Sequence, residues 1–390
     1  MAIDNYRIVS EPVFGDMSGM AKASMDWRRL AHNVEALAAL TEAPLMAMVK
    51  ADAYGHGAVP AARVCAEAGA ARLGVASLRE AWRLRRLADL AETPVMAFLY
   101  TPEQPGLAET IEAGAELGIS SLAGLAAVAA AAERAGTPAR VHLKGDTGIS
   151  RGGVAEHEWE AFAEAAAKHR AAGAIDVVGA WSHLACADEI GHPANGMQKA
   201  AFERFLAALG AAGLEPEVRH LANSAALIAD PETHYDLVRP GIALYGYNPV
   251  PRIPVDLKPV MELRSSVAAV KRLPAGTGIS YGHTRHLERD SNVALVPLGY
   301  ADGVPRAASG RAEVYLAGRR RPVLGRICMD QFVVDLGDDA VAPGEPVVLI
   351  GAGEHHPDAD DWSAWAGTIP NEILTGIGAR VPRYWNRGVE

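Results

Sequence analysis

The sequence predicts an α/β fold, an N-terminal (β/α)8 TIM-like barrel followed by a C-terminal, mainly-β domain. Through about residue 240, short apolar runs alternate with Ala-, Leu- and Glu-rich stretches whose apolar positions fall at helical spacing. Strand followed by helix, repeated over that length, implies parallel strands joined by crossover helices. After about residue 245 the alternation stops, and strand-like runs separated by turns take over. A length of 390 residues suits two domains, or one barrel with an appended module.

Eight apolar runs supply the barrel strands: Leu45–Val49, Leu73–Ala76, Val95–Leu99, Ala115–Ile119, Val141–Leu143, Val177–Trp181, Val218–Leu221 and Tyr235–Val238. Eight is the number of a closed barrel and argues against an open doubly wound sheet. Between them lie helical stretches such as Glu80–Leu90, carrying Trp82, Leu84 and Leu87, and Met197–Leu209, with Phe202, Phe205 and Leu206 on one stripe. The proline-rich segment Pro251–Pro259 reads as a linker. Beyond it, strands are expected at Ser265–Val270, Val293–Leu298, Val314–Leu316, Val323–Met329, Phe332–Leu336 and Val347–Ile350. The run Arg319-Arg320-Arg321 reads as a charged hairpin tip. The domains are placed at residues 15–245 and 246–390, with the first ~14 residues expected to pack on the second domain.

The net charge, 37 − 47 = −10, argues against a protein that coats nucleic acid or an anionic membrane. No stretch approaches the ~18–20 uninterrupted apolar residues of a membrane span. Cys65, Cys186 and Cys328 stand far apart and form no CxxC pair. The first residues lack an apolar signal core, so a cytoplasmic enzyme is expected.

Lys50 is the sharpest chemical feature. It ends the run Met46–Val49 and is followed by Ala-Asp-Ala-Tyr54-Gly-His-Gly57. The C-terminal ends of barrel strands line the active site, so Lys50 points into the mouth. A strand-end lysine commonly just reaches solvent, but the glycines and Tyr54 suggest backbone shaped around a ligand. A desolvated lysine there has the lowered pKa that Schiff-base chemistry requires.

The run VKADAYGHG resembles the pyridoxal-phosphate (PLP) lysine signature of alanine racemases. The resemblance continues in order through HLKGDTGISR, SHLACAD, HLANSAALI, VRPGIALYGYNP, ISYGH, PLGYADGVPR, LGRICMDQ and IGARVPR, spanning about Ala23 to Trp385. It implies a PLP-binding barrel with a C-terminal β domain, a homodimer with shared active sites, and interconversion of L- and D-alanine that supplies peptidoglycan. It also implies that Lys50 carries PLP covalently and serves as one of two bases, while Tyr281 from the partner subunit serves as the other. Arg239 is implied to face the pyridine nitrogen, with Tyr54, Asn223, Ser224, Gly241 and Ile242 at the phosphate. His183 would sit between Arg239 and the tyrosine, where a cationic neighbourhood helps lower the tyrosine pKa; moving it from ~10 to ~7 takes about 4 kcal/mol. Arg151 and Met329 would receive the substrate carboxylate. Lys144, with carbamylation implied, and Asp330 would support them, and Asp188, Tyr300, Arg306 and Arg326 would line the entrance corridor.

Two departures stand out. Ser150 precedes Arg151 where many relatives carry glycine, and Ala379 stands where some place a tyrosine near the phosphate. The second suggests room for side chains such as that of serine, so a broader-specificity racemase is the main alternative. A PLP decarboxylase of the same class ranks lower, because Cys328 lies in a racemase-like ICMDQ motif. The cluster Gly353–Asp361 lacks an HExxH or EF-hand pattern and reads as a solvated loop, so no metal is expected.

Overall fold

A computed structural model of the chain describes residues 7–8, 20–88, 90 and 92–386. Seven parallel strands run in sequential order: Met46–Met48, Arg72–Val75, Val95–Ala97, Glu116–Ile119, Ala139–Lys144, Ile175–Trp181 and Val218–His220. The eighth run forms only one parallel bridge, Leu45 to Val238. Its backbone nevertheless closes the barrel. Met46 N–H donates to Val238 O at 2.8 Å and Met48 N–H to Pro240 O at 3.0 Å, while Arg239 N–H reaches back to Ala222 O at 3.0 Å. Pro240 has no N–H to continue the ladder, so the eighth strand stays short.

Helices between the strands start at side-chain caps. Asp26 caps Trp27–Ala38, Ser77 forms a capping box with Glu80 at the head of Leu78–Leu87, and Ser121 caps Leu122–Ala135. Their apolar faces cover the barrel: Phe162, Phe202 and Phe205 are fully buried. Each such ring removes a large apolar area from water, worth about 1.5–3 kcal/mol.

The second domain is built on a ten-stranded sheet. The chain enters it early: Ala21–Asp26 pairs antiparallel with Met261–Ser266 and parallel with Arg383–Asn386. The stretch before the first barrel helix therefore joins the β-domain sheet. Arg7–Ile8 pairs with Arg383–Tyr384 of the same sheet, and the rest of the first ~14 residues lie outside the described residues.

Three expectations for this domain need revision. The run Ser265–Val270 is two strands, Met261–Ser266 and Ala269–Leu273, because Val267 and Ala268 turn their amides to Glu345 O and Leu295 O. The run Val323–Met329 stops at Leu324, since Gly325 adopts φ +64° against the Ile279 carbonyl. The hairpin tip is Ala317-Gly318, both left-handed, whereas Arg319–Arg321 already lie in the returning strand. Arg321 is buried and donates to Leu316 O, Leu336 O and Asp339, so it is a core cation rather than a surface one. Two helices, Ala359–Ala366 and Pro370–Gly376, complete the domain. The Pro251–Pro259 segment folds back on the first helix, where Asn33 bonds the carbonyl and amide of Lys258 at 2.8 and 2.7 Å.

Candidate active site

The residues after Lys50 form a left-handed turn. Ala51, Asp52, Ala53 and Tyr54 have φ of 52, 52, 56 and 53°, and Gly55 follows at 81°. Each non-glycine residue there costs about 1–2 kcal/mol, so the surroundings must enforce the conformation. They do so on every side. Ala51 N–H donates to Glu80 Oε1 at 2.7 Å, and Ala58 N–H donates to Asp52 Oδ1 at 2.8 Å. From the β domain, Arg383 Nε donates to Gly55 O and Trp385 Nε1 to His56 O. His56, fully buried, donates from Nδ1 toward the Ala53 and Tyr54 carbonyls, and burial lowers its pKa to about 4.

The turn aims Lys50 into a cavity of about 560 Å³ at the barrel mouth. Lys144, Arg151 and Arg239 share that cavity, against only Asp188 and Asp360 on its wall. Among the described residues none of these four cations makes an ion pair. Burial, then Arg151 and Arg239, lower the Lys50 pKa, and Glu80 partly opposes them. Burial and the same two arginines bring Lys144 down to about 8. Lys144 Nζ lies 4.4 Å from the Trp181 ring centroid, and the buried Trp181 indole N–H has no hydrogen-bond partner among the described residues.

Arg239 is 5% exposed and held at several points: Nη2 donates to Ser182 O at 2.7 Å and Leu221 O at 3.1 Å, and Nη1 to His220 Nδ1 at 3.1 Å. Burial lowers its pKa to about 9, which leaves it cationic at neutral pH. His183 approaches Arg239 at 3.4 Å, and burial followed by Arg239 holds its pKa well below 6.5. His183 is therefore neutral, which corrects the expectation that it adds positive charge here; the charge around it comes from Arg239, Arg151, Lys144 and Lys50.

In the same cavity, Ser224 Oγ accepts from Gly241 N–H at 2.7 Å and Ala243 N–H at 3.4 Å, leaving its own hydroxyl proton to donate. Burial raises the Tyr54 pKa to about 12, so its phenol keeps its proton. A Cβ on Gly241 would collide with the Tyr54 hydroxyl. Asn223 engages its side-chain oxygen in capping Ala225 and Ala226 at 3.0 Å, and Ile242 lines the wall. Protonated hydroxyls and cations without ion-pair partners in one cavity suit a ligand with two anionic groups.

The remaining expected residues lie elsewhere. Tyr281, Tyr300, Arg306, Arg326, Met329 and Asp330 are on the β domain, and none lines the cavity. The segments that carry Tyr281, Tyr300, Arg326 and Met329 are bonded to one another. Ser280 Oγ donates to Arg326 O at 2.7 Å, Tyr300 N–H to Cys328 O at 3.0 Å and Ala301 N–H to Met329 O at 2.9 Å. Tyr281 is 71% exposed and Met329 52%, an unusual presentation for large side chains. Asp330 pairs with Arg380 at 2.7 Å. Ser150 takes φ 55°, a conformation that suits glycine better, with its amide on Asp146 at 3.1 Å. Ala379 is exposed.

Among the described residues no group of three or more His, Cys, Asp and Glu could hold a metal. In the acidic segment, Asp358 caps the helix Ala359–Ala366, Asp361 pairs with Arg320, and Asp360, raised to about 6 chiefly by burial, lines the same cavity as Lys50. Sequence reasoning missed Glu80, Glu116, His142 and His220. A carboxylate or imidazole inside a run that reads as a buried strand is the signal that could have found the last three.

The alanine racemase N-terminal domain family matches residues 25–249, and the corresponding C-terminal domain family matches residues 260–385. The chain is 49% identical to the alanine racemase of Thermobifida fusca over 376 residues, covering 96% of this chain and 100% of the relative. The crystal structure of alanine racemase from D-cycloserine-producing Streptomyces lavendulae superposes with a TM-score of 0.92 at 47% identity, covering 95% of this chain and 98% of that one. The alanine racemase of Bartonella henselae, solved with covalently bound pyridoxal phosphate, superposes with a TM-score of 0.85 at 29% identity, covering 94% of this chain and 100% of that one.

Proposed function

The chain belongs to the alanine racemase family, and from that premise we propose that it interconverts L- and D-alanine by a two-base mechanism. PLP is its cofactor, and its two bases are Lys50 and Tyr281 of the partner subunit. The observation that carries the reading is the cavity itself, in which Lys50 lies with three further unpaired cations beside two protonated hydroxyls.

PLP, when bound, supplies the electron sink that acidifies the substrate Cα–H. Lys50 would hold it, with the phosphate at Tyr54, Ser224 and the backbone of Gly241 and Ile242, and the ring nitrogen toward Arg239. Arginine does not give up its proton at neutral pH, so it leaves that nitrogen unprotonated. Arg151 binds the substrate carboxylate, with the Met329 backbone N–H of the partner subunit beside it. Lys50 Nζ, its pKa lowered by burial and the two arginines, takes or returns a proton on one face of Cα. Tyr281 Oη of the partner subunit does the same on the other face. The exposed β-domain cluster supports this reading, since a second copy could seat it over the barrel mouth. Lys144 supports Arg151, and its pKa near 8 leaves part of the amine neutral and open to carbamylation by CO2. We assign the D-alanine product to peptidoglycan supply in the cytoplasm.

The purified protein should be yellow, lose that colour on borohydride reduction with the label on Lys50, and convert L-alanine to the racemate on chiral chromatography. A colourless protein, or a yellow one that releases CO2 or leaves L-alanine unchanged, would defeat the reading. Serine is the second substrate to compare.

A further inference from the structure

Behind Arg239 a chain of buried side chains crosses the barrel interior. His220 Nδ1 faces Arg239 Nη1 at 3.1 Å, His220 Nε2 faces His142 Nδ1 at 2.9 Å, and His142 Nε2 faces Glu116 Oε2 at 3.0 Å. Glu116, His142 and His220 are all 0% exposed. Glu116 and Arg72 sit at the starts of their strands, whereas His220 and Arg239 lie at strand ends, so the chain runs from the barrel floor to its mouth.

Donor chemistry fixes every proton in it. A guanidinium only donates, so His220 Nδ1 must accept. Burial, followed by Arg239, keeps His220 neutral, and burial lowers His142 as well. Neutral His220 then carries its proton on Nε2 and donates it to His142 Nδ1. His142 in turn carries its proton on Nε2 and donates it to the Glu116 carboxylate. Burial alone would raise the Glu116 pKa, but the bonds from His142 and Arg72 outweigh it and bring it to about 2. Arg72 Nη1 lies 2.5 and 2.6 Å from its two oxygens, and Arg140 reaches it at 3.0 Å. Packing preserves the line of rings. Trp181 stacks on His220 at 5.7 Å with planes 6° apart, and a Cβ on Gly179 would collide with His142 Nδ1.

We propose that Glu116 is a positioning residue for Arg239, acting through His142 and His220 from the far end of the barrel. Bonds in such a chain polarise one another. An ionised acceptor at Glu116 makes His142, and then His220, a better acceptor for Nη1. The guanidinium is thereby held in one orientation while keeping its own proton. The role toward the cofactor ring rests on the function proposed above; the tautomers do not.

The test uses the full-length chain labelled with 15N-histidine. Both His142 and His220 should be neutral and protonated on Nε2, with and without added PLP. A ring found cationic or protonated on Nδ1 overturns the relay. Glu116→Gln should then lower kcat about tenfold with KM for alanine within about twofold, and shift the visible band of bound PLP. Arg140→Ala, which removes only the outer ion pair, should leave kcat and the band unchanged, and Glu116→Asp should recover part of the loss. Equal kcat and spectra for Glu116→Gln and Arg140→Ala overturn the proposal. If Glu116→Gln does not fold, His142→Asn, which leaves Glu116 with both arginines, takes its place with the same expected results. A chain that neither binds PLP nor racemises alanine defeats the proposed function, while the tautomers still decide the relay.

Discussion

The amide of Ala51 donates to Oε1 of Glu80 at 2.7 Å, so the residue after Lys50 is gripped by a side chain from the helix Leu78–Leu87, which follows the second barrel strand. The other oxygen of that carboxylate accepts from the amides of Ala76 and Ser77 at 3.1 and 2.9 Å, closing the capping box. One side chain thus starts a helix and restrains a strained turn.

Replacing Glu80 by alanine should therefore act on two scales. Losing the cap costs about 1 kcal/mol, visible in urea unfolding. The turn, left without its grip, lets Lys50 move, and kcat should fall by about tenfold or more. A kcat unchanged at that stability loss would show that the turn holds itself. The charge has its own sign. Glu80 raises the Lys50 pKa, so Glu80→Gln should lower it further, read as faster amine labelling of Lys50 near neutral pH in PLP-free protein.

Gly241 tests the anion end of the cavity. A methyl group there meets the Tyr54 hydroxyl, and overpacking of this kind costs about 1–3 kcal/mol. Gly241→Ala should weaken PLP binding about tenfold or more by equilibrium dialysis while the far-UV spectrum stays unchanged. Unweakened binding would place the phosphate elsewhere.

Much of this architecture is legible in the sequence for a simple reason. Buried parallel strands are apolar on both faces, so Leu73–Ala76 or Val141–Leu143 announce themselves as runs. The same rule hid His142, which sits inside such a run with its imidazole turned to the barrel interior. Lys50 was visible because it ends a run. The left-handed turn behind it was not, because Ala51, Asp52 and Ala53 have no local preference for positive φ, and tertiary bonds impose it. Arg321 looked like a solvated charge among its neighbours because nothing local distinguishes it from Arg319. Its burial depends on Leu336 O and Asp339. The strand Ala21–Asp26 was missed in the same way, since its partners come some 240 and 360 residues later in the chain.

Lys144 gives a pH signature. Its pKa falls from 10.5 to about 8 on folding, chiefly by burial and then by Arg239 and Arg151. Below about pH 8 the folded chain holds this amine charged at a cost; between about 8 and 10.5 the unfolded chain binds more protons, so stability rises with pH there. Lys144→Met should accordingly be more stable than the parent by about 1–3 kcal/mol at pH 7, the Trp181 contact offsetting part of the cost. The gap should close toward pH 10.5. Urea unfolding in CO2-depleted buffer without PLP measures it. A gap that stays constant with pH would mean that Lys144 keeps an ordinary pKa.

The separation of Lys50 from Tyr281 leads to the remaining expectation. Lys50 lines the barrel cavity, whereas Tyr281 stands 71% exposed on the β domain, outside that cavity. If a second copy seats Tyr281 over Lys50, each site needs one residue from each chain. Lys50→Ala and Tyr281→Phe should then be inactive alone. In a dimer made of one chain of each, one site carries both defects and the other carries neither. Random exchange of equal amounts puts half of the chains' dimers in that mixed form, so activity should return to roughly one quarter of the parent level. Subunit exchange is followed separately by mass-tagged chains. Full exchange without returning activity would place both bases within one chain, and the exposed face of Tyr281 would then need a different partner.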